Sequence, residues 1–280
     1  MANRNFDLCL SQFRSQYLSG IAAVAFTCCA LVSGLAQDNS VRPSGNSLTT
    51  IFTYTNFSDL SGLTLNGNAQ QDGSALLVGP PALYQIGSAY YTNQVNVGQG
   101  FSTTFNLQIT PDSSSYTTAD GMAFLIQNVG VNALGISTGH PGYAGIPNSI
   151  AVEFDTFQNF QLSDPNNNHI ALQSCGTARN SIDHASGCTL GINGNLPLTL
   201  ADGNVHKVQV SYMPGAGGSG PFAVSVDGKF ILKATVNLST LLNLNGNDAW
   251  VGFTAGSGAA FESGEVKGWT FASGGTAAGK

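Results

Sequence analysis

Apolar residues recur at every second position in many short runs of this chain, and that alternation restricts the folds open to it. A β-strand places successive side chains on opposite faces, so alternation marks a strand with one buried face. The clearest runs carry Phe101, Phe105, Leu107 and Ile109 on one face, and Val208, Val210 and Tyr212 on another. Helical periodicity is nowhere sustained in the sequence. The chain is therefore expected to be all-β.

Turn-forming residues separate these runs, as an antiparallel fold requires. The sequence holds 35 glycines, and Ser, Thr and Asn fill the gaps between apolar stretches. Phe222, Val224 and Val226 alternate into Asp227-Gly228, a pair that tolerates the positive φ of a tight hairpin turn. A hairpin is predicted at this position.

The alternating rhythm continues without a linker that would divide it into two domains. The glycine-rich segment 214–221 is interpreted as a loop tip inside a hairpin. One antiparallel β-sandwich is therefore predicted over residues 50–271. An N-terminal extension at 37–49 precedes it, and a flexible tail of small and polar residues at 272–280 follows.

The first 36 residues have the order of a secretory signal peptide. Arg4 and Arg14 precede an apolar stretch from about Leu18 to Val32, and cleavage is predicted after Ala36. A retained membrane anchor is the alternative, although the apolar run is shorter than the ~20 residues that cross a bilayer. Secretion to the extracellular space, the periplasm or the cell surface is expected, with no stable membrane insertion after cleavage.

The net charge limits the classes of partner expected for this chain, and the cysteines indicate whether it occupies an oxidising compartment. The net charge is −6, which makes nucleic acid and anionic membranes poor partners. Cys175 and Cys188 are the two cysteines outside the signal segment, and an even pair in an exported chain predicts a disulfide. A zinc site is the alternative, with His184 as its only further ligand nearby.

Polar side chains of one chemical type are concentrated between positions 153 and 169. They are Glu153, Asp155, Asn159, Asp164 and His169, in the spacing E-x-D-x₃-N-x₄-D-x₄-H. On a strand, Glu153 and Asp155 project from the same face. Two adjacent carboxylates repel each other, so they need a cation, a proton or solvent between them.

The ligand types in this segment suit two different ions. Asp155, Asn159, Asp164 and the carbonyl oxygen of Phe157 are the hard oxygen donors that calcium prefers. The imidazole of His169 does not suit calcium. Together with Glu153, Asp155 and Asp164 it suits a transition ion such as manganese or zinc. By spacing alone, a solvated acidic loop beside a surface histidine is an equal alternative.

With these residues the chain resembles the legume (L-type) lectins over essentially its whole mature length, in a form similar to bacterial relatives. The five residues match the family's calcium and manganese cluster in type and in every interval. Segments 119–124, 140–145 and 250–259 resemble the family's first, second and fourth sugar-binding loops, and 268–271 resembles its last strand. The resemblance implies a concanavalin-like jelly-roll sandwich and a non-catalytic lectin that binds a glycan with calcium and manganese, or another transition ion.

The resemblance also implies a role for individual residues. Asp120 would accept hydrogen bonds from two sugar hydroxyls, after a cis peptide bond with Ala119. Gly142 would donate its backbone N–H to the sugar. Asn159 would hold calcium through its amide oxygen and turn its NH₂ towards the sugar, and Phe157 would present its ring to the sugar's apolar face.

Ala259 and Ala260 occupy the loop that tunes sugar choice in this family. Neither side chain carries a polar group, so specificity from this loop must come from backbone and shape. Phe157 has an alternative interpretation as a core residue, and Asp120 has one as a turn residue before Gly121. The sequence leaves open which sugar is bound and whether the chain forms a homo-oligomer.

Two other functions compete with the lectin hypothesis. A glycoside hydrolase on the same sandwich uses the pattern E-x-D-x-x-E, but Gln158 stands where the second catalytic carboxyl would be. An adhesion or structural module would use calcium only to stiffen the fold. Asp120, Gly142 and Phe157 separate these cases, since the fold alone is not expected to require them.

The remaining histidines and tryptophans are expected to be structural or peripheral. His140, His184 and His206 have no partners that the sequence identifies, and each is interpreted as a surface or loop histidine. Trp250 and Trp269 are expected in the sandwich core.

Overall fold

The computed structural model describes residues 47–136 and 139–274. The predicted signal peptide at 1–36, most of the N-terminal extension and the end of the tail lie outside these residues. In chain order the strands are β1 Thr49–Tyr54, β2 Leu63–Gly67, β3 Gln70–Asp72, β4 Ala75–Gly79, β5 Ile86–Tyr91, β6 Val95–Asn96, β7 Phe101–Pro111, β8 Gly121–Gln127, β9 Ser149–Asp155, β10 His169–Gln173, β11 Thr189–Asn193, β12 Val205–Tyr212, β13 Gly220–Val226, β14 Lys229–Val236, β15 Asp248–Gly256 and β16 Glu262–Ser273.

Helical structure within the described residues is minor. A 3₁₀ turn spans Phe160–Leu162, and one α-helix, α1, spans Leu238–Leu241. Asn237 caps α1, because its side chain accepts a hydrogen bond from the backbone N–H of Ser239. No helix in the described part of the chain is long and apolar enough to cross a membrane.

Within the described part of the chain, the strands form two antiparallel sheets of eight strands each. The first sheet has the order β14-β13-β12-β7-β16-β4-β3, with β1 paired to β16. The second has the order β11-β10-β9-β8-β15-β5-β2, with β6 paired to β15. This confirms the predicted antiparallel jelly-roll sandwich. Strands β8, β9, β10 and β15 of the second sheet carry the segments that the sequence singled out.

Aromatic side chains from both sheets fill the space between them. Phe105 of the first sheet lies 5.0 Å from Phe253 and 5.6 Å from Phe124 of the second, measured between ring centroids. Trp269 lies 4.7 Å from Phe253 and is 2% exposed, which confirms it as a core residue. Each such side chain contributes about 1.5–3 kcal/mol through burial of its apolar surface.

The alternation in β7 predicts its two faces correctly, because every second residue from Phe101 to Ile109 is buried. The sandwich extends slightly beyond its predicted limits. It begins at Thr49, and β16 continues to Ser273, which pairs with Phe101. Ala272 and Ser273, which were predicted to be part of the tail, therefore belong to a strand, because β7 offers them a partner strand.

The predicted hairpin at Asp227-Gly228 joins β13 and β14. Both turn residues have positive φ, 51° and 74°, as a two-residue hairpin turn requires. The Asp227 carboxylate also reaches His206 of β12, with its Oδ2 2.7 Å from Nδ1, and Asp202 lies 3.2 Å from Nε2. The interpretation of His206 as a histidine without partners is therefore wrong, because a hairpin turn distant in sequence supplies its main partner.

Because His206 contacts both Asp227 and Asp202, we predict that part of the folding stability depends on pH. Burial lowers the pKa of His206, but the hydrogen bonds to Asp227 and Asp202 outweigh burial and raise it above its usual value. The pair therefore stabilises the fold fully below about pH 6.5, and this contribution is lost as pH rises through the raised pKa. We expect His206→Gln to cost about 0.5–1 kcal/mol at pH 5.5, and less at pH 8.5, since Asp227 is partly exposed.

Urea denaturation at the two pH values measures this difference. Lys233→Gln is the matched control, because it removes an exposed positive charge from the same sheet. A stability difference for His206→Gln that stays constant or grows with pH would show that His206 is not a protonated partner of the two aspartates.

Candidate functional site

Strand β9 places the two predicted carboxylates on one face, as its period requires. Glu153 and Asp155 are 1% and 3% exposed, while Val152 and Phe154 belong to the core between the sheets. The strands on either side of β9 extend the site, because His169 of β10 and Gly121 of β8 are both register partners of Asp155.

The loop after β9 folds back over these carboxylates. The Phe157 N–H donates to Oδ1 of Asp155 at 2.8 Å, and the Asn159 N–H donates to Oδ2 of Asp164 at 2.6 Å. Asp164 is thereby held beside β9 and is 8% exposed. His169 is fully buried, and its Nδ1 lies 2.9 Å from the carbonyl oxygen of Asn166 and 4.0 Å from Oδ1 of Asp155. The structure thus brings Glu153, Asp155, Asp164 and His169 together.

A further histidine, His184, completes this group. Its Nε2 lies 3.0 Å from Nε2 of His169, 3.4 Å from Oδ1 of Asp164 and 3.7 Å from Oε2 of Glu153. The interpretation of His184 as a surface or loop histidine without partners is therefore wrong in part, because His184 lies in a loop but contacts His169, Asp164 and Glu153. We call Glu153, Asp155, Asp164, His169 and His184 the metal cluster.

His184 reaches the metal cluster through the segment 175–188, which we call the disulfide loop. Cys175 and Cys188 are bonded to each other, as predicted, with their Cα atoms 4.7 Å apart. Both sulfur atoms are used in this bond, so the alternative of a zinc site on these cysteines is wrong. The only sequence signal for His184 was its place inside a closed loop, because spacing does not reveal where such a loop folds back.

Burial raises the pKa values of the carboxyl groups in the metal cluster, which makes them weaker acids than usual. Desolvation, with the nearby charge of Asp164, raises the pKa of Glu153 to about 8. Desolvation raises the pKa of Asp164 to about 6 and that of Asp155 well above its usual range, where Glu153 adds to the effect. Burial lowers the pKa of His169 to about 4. Without a cation, both histidines are neutral at neutral pH, and Glu153 favours its protonated form.

These donors fit a divalent transition ion. One ligand atom each from Glu153, His169 and His184 lies within 4.8 Å of the others. Oε2 of Glu153 is buried and has no hydrogen-bond partner in the part of the chain that the structure describes. An unpaired buried acceptor is costly, and a cation satisfies it. The oxygen donors expected for calcium also adjoin the cluster, since Phe157 and Asn159 contact Asp155 and Asp164 through their backbones.

The three segments that resemble sugar-binding loops converge on Asp120. The Asp120 N–H donates to the carbonyl oxygen of Gly256 at 3.2 Å, and the Gly139 N–H donates to that of Ser257 at 3.0 Å. The peptide bond between Ala119 and Asp120 is cis, as the resemblance implies. Segments 119–121, 139–142 and 256–258 therefore form one end of the sandwich beside Asp155.

Asp120 carries a buried carboxylate with an unused acceptor. Its side chain is 4% exposed, and Oδ2 has no hydrogen-bond partner among residues 47–136 and 139–274. Burial raises the pKa of Asp120 to about 7, although the neighbouring Gly258 N–H acts in the opposite direction. The turn interpretation of Asp120 does not account for a buried oxygen that is left free.

Gly142 is required by the backbone. Its φ is 83°, and a Cβ at this position would lie 2.5 Å from the carbonyl oxygen of Ala255. The expectation that the fold alone does not require this glycine is therefore wrong, because β15 passes too close for any side chain. Gly142 cannot separate a sugar site from a structural one.

The other predicted sugar-site residues have different exposures. Phe157 and Asn159 are half-buried, and Ala259 is exposed. Ala260 is only 3% exposed and packs into the loop, so its side chain does not face the rim. Trp250 was expected in the sandwich core, but it is only half-buried and donates its ring N–H to the Thr92 carbonyl oxygen at 3.2 Å, so that expectation is wrong.

Two residues at this end of the sandwich were not predicted from the sequence. Tyr84 is 63% exposed, and its N–H donates to the Gly258 carbonyl oxygen at 3.0 Å, which places its backbone beside the loop that carries Gly258. Glu262 is 5% exposed, and its Oε1 accepts a hydrogen bond from the Thr156 hydroxyl at 2.6 Å. Neither lies in a motif, since both depend on how distant loops meet.

Comparison with known proteins agrees with this architecture. Residues 52–268 match the family model of the legume lectin beta-barrel domain. A lectin of Lens culinaris subsp. orientalis is 30% identical over 83% of this chain and 86% of its own length. A probable L-type lectin-domain containing receptor kinase VII.2 of Arabidopsis thaliana is 26% identical over 79% of this chain, which spans only 34% of that protein.

A solved structure of similar fold is the lectin from Bauhinia forficata in complex with GalNAc. It has a TM-score of 0.63 and 23% sequence identity, and the match covers 81% of this chain and 98% of that one. The family model, the Lens culinaris relative and the two-sheet sandwich lead to the same assignment: the chain belongs to the legume lectin domain family.

Proposed function

We propose that this protein is a glycan-binding lectin whose pocket is centred on Asp120 and shaped by metal ions bound beside it. The observation that carries the proposal is the buried Oδ2 of Asp120, which has no hydrogen-bond partner among the described residues and lies where three loops converge. A sugar hydroxyl is a neutral donor that can enter such a site and satisfy this oxygen.

The surroundings of Asp120 supply the other contacts that a sugar uses. Phe157 is half-buried and Tyr84 is exposed, so both rings are available to the apolar face of a pyranose. Gly142 lies against the backbone of Ala255, which leaves no room for a side chain at this position. Asn159 lies in the loop that carries Asp164, where its amide can reach both calcium and a sugar hydroxyl.

The role proposed for the metal ions is to position the residues that contact the sugar. We propose calcium on Asp155, Asn159, Asp164 and the Phe157 carbonyl oxygen, and a transition ion such as manganese on Glu153, Asp155, Asp164 and His169. The ions supply positive charge that lets these carboxylates stay ionised side by side. Asp155 and Asp164 then hold the 156–164 loop against β8, which positions Phe157 and Asn159 next to Asp120.

We propose no hydrolytic activity for this site. A retaining glycosidase needs two carboxyl groups flanking the scissile bond. Glu153 and Asp155 are instead buried against His169 and His184, and the Gln158 amide donates to the carbonyl oxygens of Asp164 and Pro165 at 3.3 Å. The unused acceptor of Asp120 likewise favours sugar binding over a purely structural role for calcium. The Cys175–Cys188 disulfide supports export to an oxidising compartment.

A glycan array probed with the chain 37–280 tests the proposal. GalNAc and galactose are the first sugars to examine, because similar lectin structures are complexes with GalNAc and with galactose. We expect binding to a defined set of glycans in calcium and manganese, and loss of that binding after chelation. No binding to any glycan in the presence of both ions, or release of reducing sugar from a bound glycan, would contradict it.

A further inference from the structure

We propose that His184 is a direct ligand of the transition ion, carried to it by the disulfide loop, and that this second imidazole makes the site select zinc over manganese. The inference extends the metal site of the proposed function to a residue outside the matched motif. It is tested without sugar, so its failure can be told apart from failure of the lectin proposal.

The positions of the two imidazoles support a shared ion. Nε2 of His184 lies 3.0 Å from Nε2 of His169, and the rings meet at 76° with centroids 5.1 Å apart. Two nitrogen ligands at about 2.1 Å from one metal ion, in adjacent positions, are separated by roughly this distance. Oε2 of Glu153 and Oδ1 of Asp164 lie 3.7 Å and 3.4 Å from the same nitrogen of His184.

The opposite ring nitrogens are held by outer groups, as in metal-bound histidines. Nδ1 of His169 lies 2.9 Å from the carbonyl oxygen of Asn166, so it carries the proton and leaves Nε2 free as a ligand. Nδ1 of His184 lies 2.7 Å from the Gln173 amide. Rotating that amide by 180° makes its oxygen the acceptor for Nδ1–H, and this Oε1 has no other partner among the described residues.

Two backbone hydrogen bonds, one beside the disulfide and one made by His184 itself, fix the disulfide loop at the metal cluster. The Ser174 N–H donates to the carbonyl oxygen of Cys188 at 2.8 Å, next to the disulfide. The His184 N–H donates to the carbonyl oxygen of Leu162 at 2.9 Å, in the same loop as Asp164. The disulfide thus reduces the number of conformations available to this loop, and the hydrogen bond to Leu162 keeps His184 beside the loop that carries Asp164.

The ligand set determines which ion the site prefers. Sites of nitrogen and oxygen donors bind zinc more tightly than manganese, and replacing oxygen ligands by imidazole increases that difference. Calcium does not favour imidazole, so its affinity is not expected to depend on His184.

Metal titration of the chelator-stripped chain 37–280 tests this inference, with zinc, manganese and calcium affinities measured by competition with a coloured chelator. We expect His184→Asn to weaken zinc binding by about 10- to 100-fold and to leave calcium within about twofold. His206→Asn is the matched control, since His206 lies in the other sheet. The double variant Cys175→Ser/Cys188→Ser should weaken zinc less than His184→Asn does, because the ligand remains but is less restrained.

Circular dichroism and the visible absorption of bound cobalt distinguish loss of a ligand from loss of the fold. We expect His184→Asn to keep the β-sheet spectrum and to change the cobalt spectrum. Unchanged zinc affinity in a folded His184→Asn protein would overturn the inference, as would equal loss of zinc and calcium. Glycan binding that fails while zinc binding behaves as expected would overturn the lectin proposal alone.

Discussion

Removing the metal ions proposed above is expected to lower the melting temperature of the chain 37–280 by about 10–20 °C and to abolish the proposed glycan binding. A ligand present at about 100 times its Kd stabilises the folded state by roughly 2.7 kcal/mol, and two ions double this amount. In a domain of this size, each kcal/mol corresponds to about 2–4 °C. Binding is lost because the 156–164 loop is no longer held against Asp120.

The pH dependence of this effect follows from the raised pKa values. In the stripped protein, burial raises the pKa of Glu153 to about 8 and that of Asp164 to about 6. The folded state then binds more protons than the unfolded chain, so its stability falls as pH rises from about 4.5 to 8. The metal-loaded protein avoids this loss, since the cations replace the protons. The stabilisation by metal is therefore expected to be larger at pH 8 than at pH 5.

Differential scanning fluorimetry with and without chelator, at both pH values, measures this prediction. Adding back calcium together with zinc or manganese should restore both the melting temperature and glycan binding. A melting temperature that does not respond to prolonged chelation and dialysis would mean that the cluster is stable with protons alone.

Replacing Asp120 by alanine is expected to weaken glycan binding by about 10- to 150-fold while the protein keeps its fold and its metal ions. A carboxylate that accepts hydrogen bonds in a buried site contributes about 1.5–3 kcal/mol, and 2.7 kcal/mol corresponds to a factor of 100. Folding should suffer little, because Oδ2 of Asp120 has no partner to lose within the described residues. Asp120→Asn should also bind poorly, since its NH₂ group presents a donor to sugar hydroxyls.

Isothermal titration with the strongest glycan from the array measures both variants. Asp72→Ala serves as the control, because Asp72 is an exposed carboxylate on β3 of the other sheet. Affinity of Asp120→Ala within threefold of the unmodified protein would exclude Asp120 from the sugar site. A loss that is matched by Asp72→Ala would point to an effect of net charge instead.

Local patterns in the sequence predicted the strands and the faces of the motif residues. The period of two in β7 identifies its buried face from Phe101 to Ile109, and the same period places Glu153 and Asp155 together. The Asp227-Gly228 turn is specified by two adjacent residues with positive φ. Such features depend on the few residues around them, so the sequence suffices.

Contacts between distant loops were predicted poorly. His184 enters the metal cluster because the disulfide loop folds back onto Leu162, and no spacing rule encodes that return. Gly142 is glycine because β15 passes within 2.5 Å of where its Cβ would lie. Tyr84 and Glu262 reach the end of the sandwich by the same kind of tertiary approach. In each case, packing between separate segments decides the position.

Anomalous X-ray diffraction from crystals grown with zinc, calcium and the strongest array glycan examines the metal cluster and the sugar pocket together. We expect a zinc peak about 2.0–2.2 Å from Nε2 of both His169 and His184 and from a Glu153 oxygen. We also expect sugar hydroxyls within about 3 Å of the Asp120 carboxylate. A map with no zinc between these side chains, or with the glycan bound away from Asp120, would contradict a metal-shaped sugar pocket at this end of the sandwich.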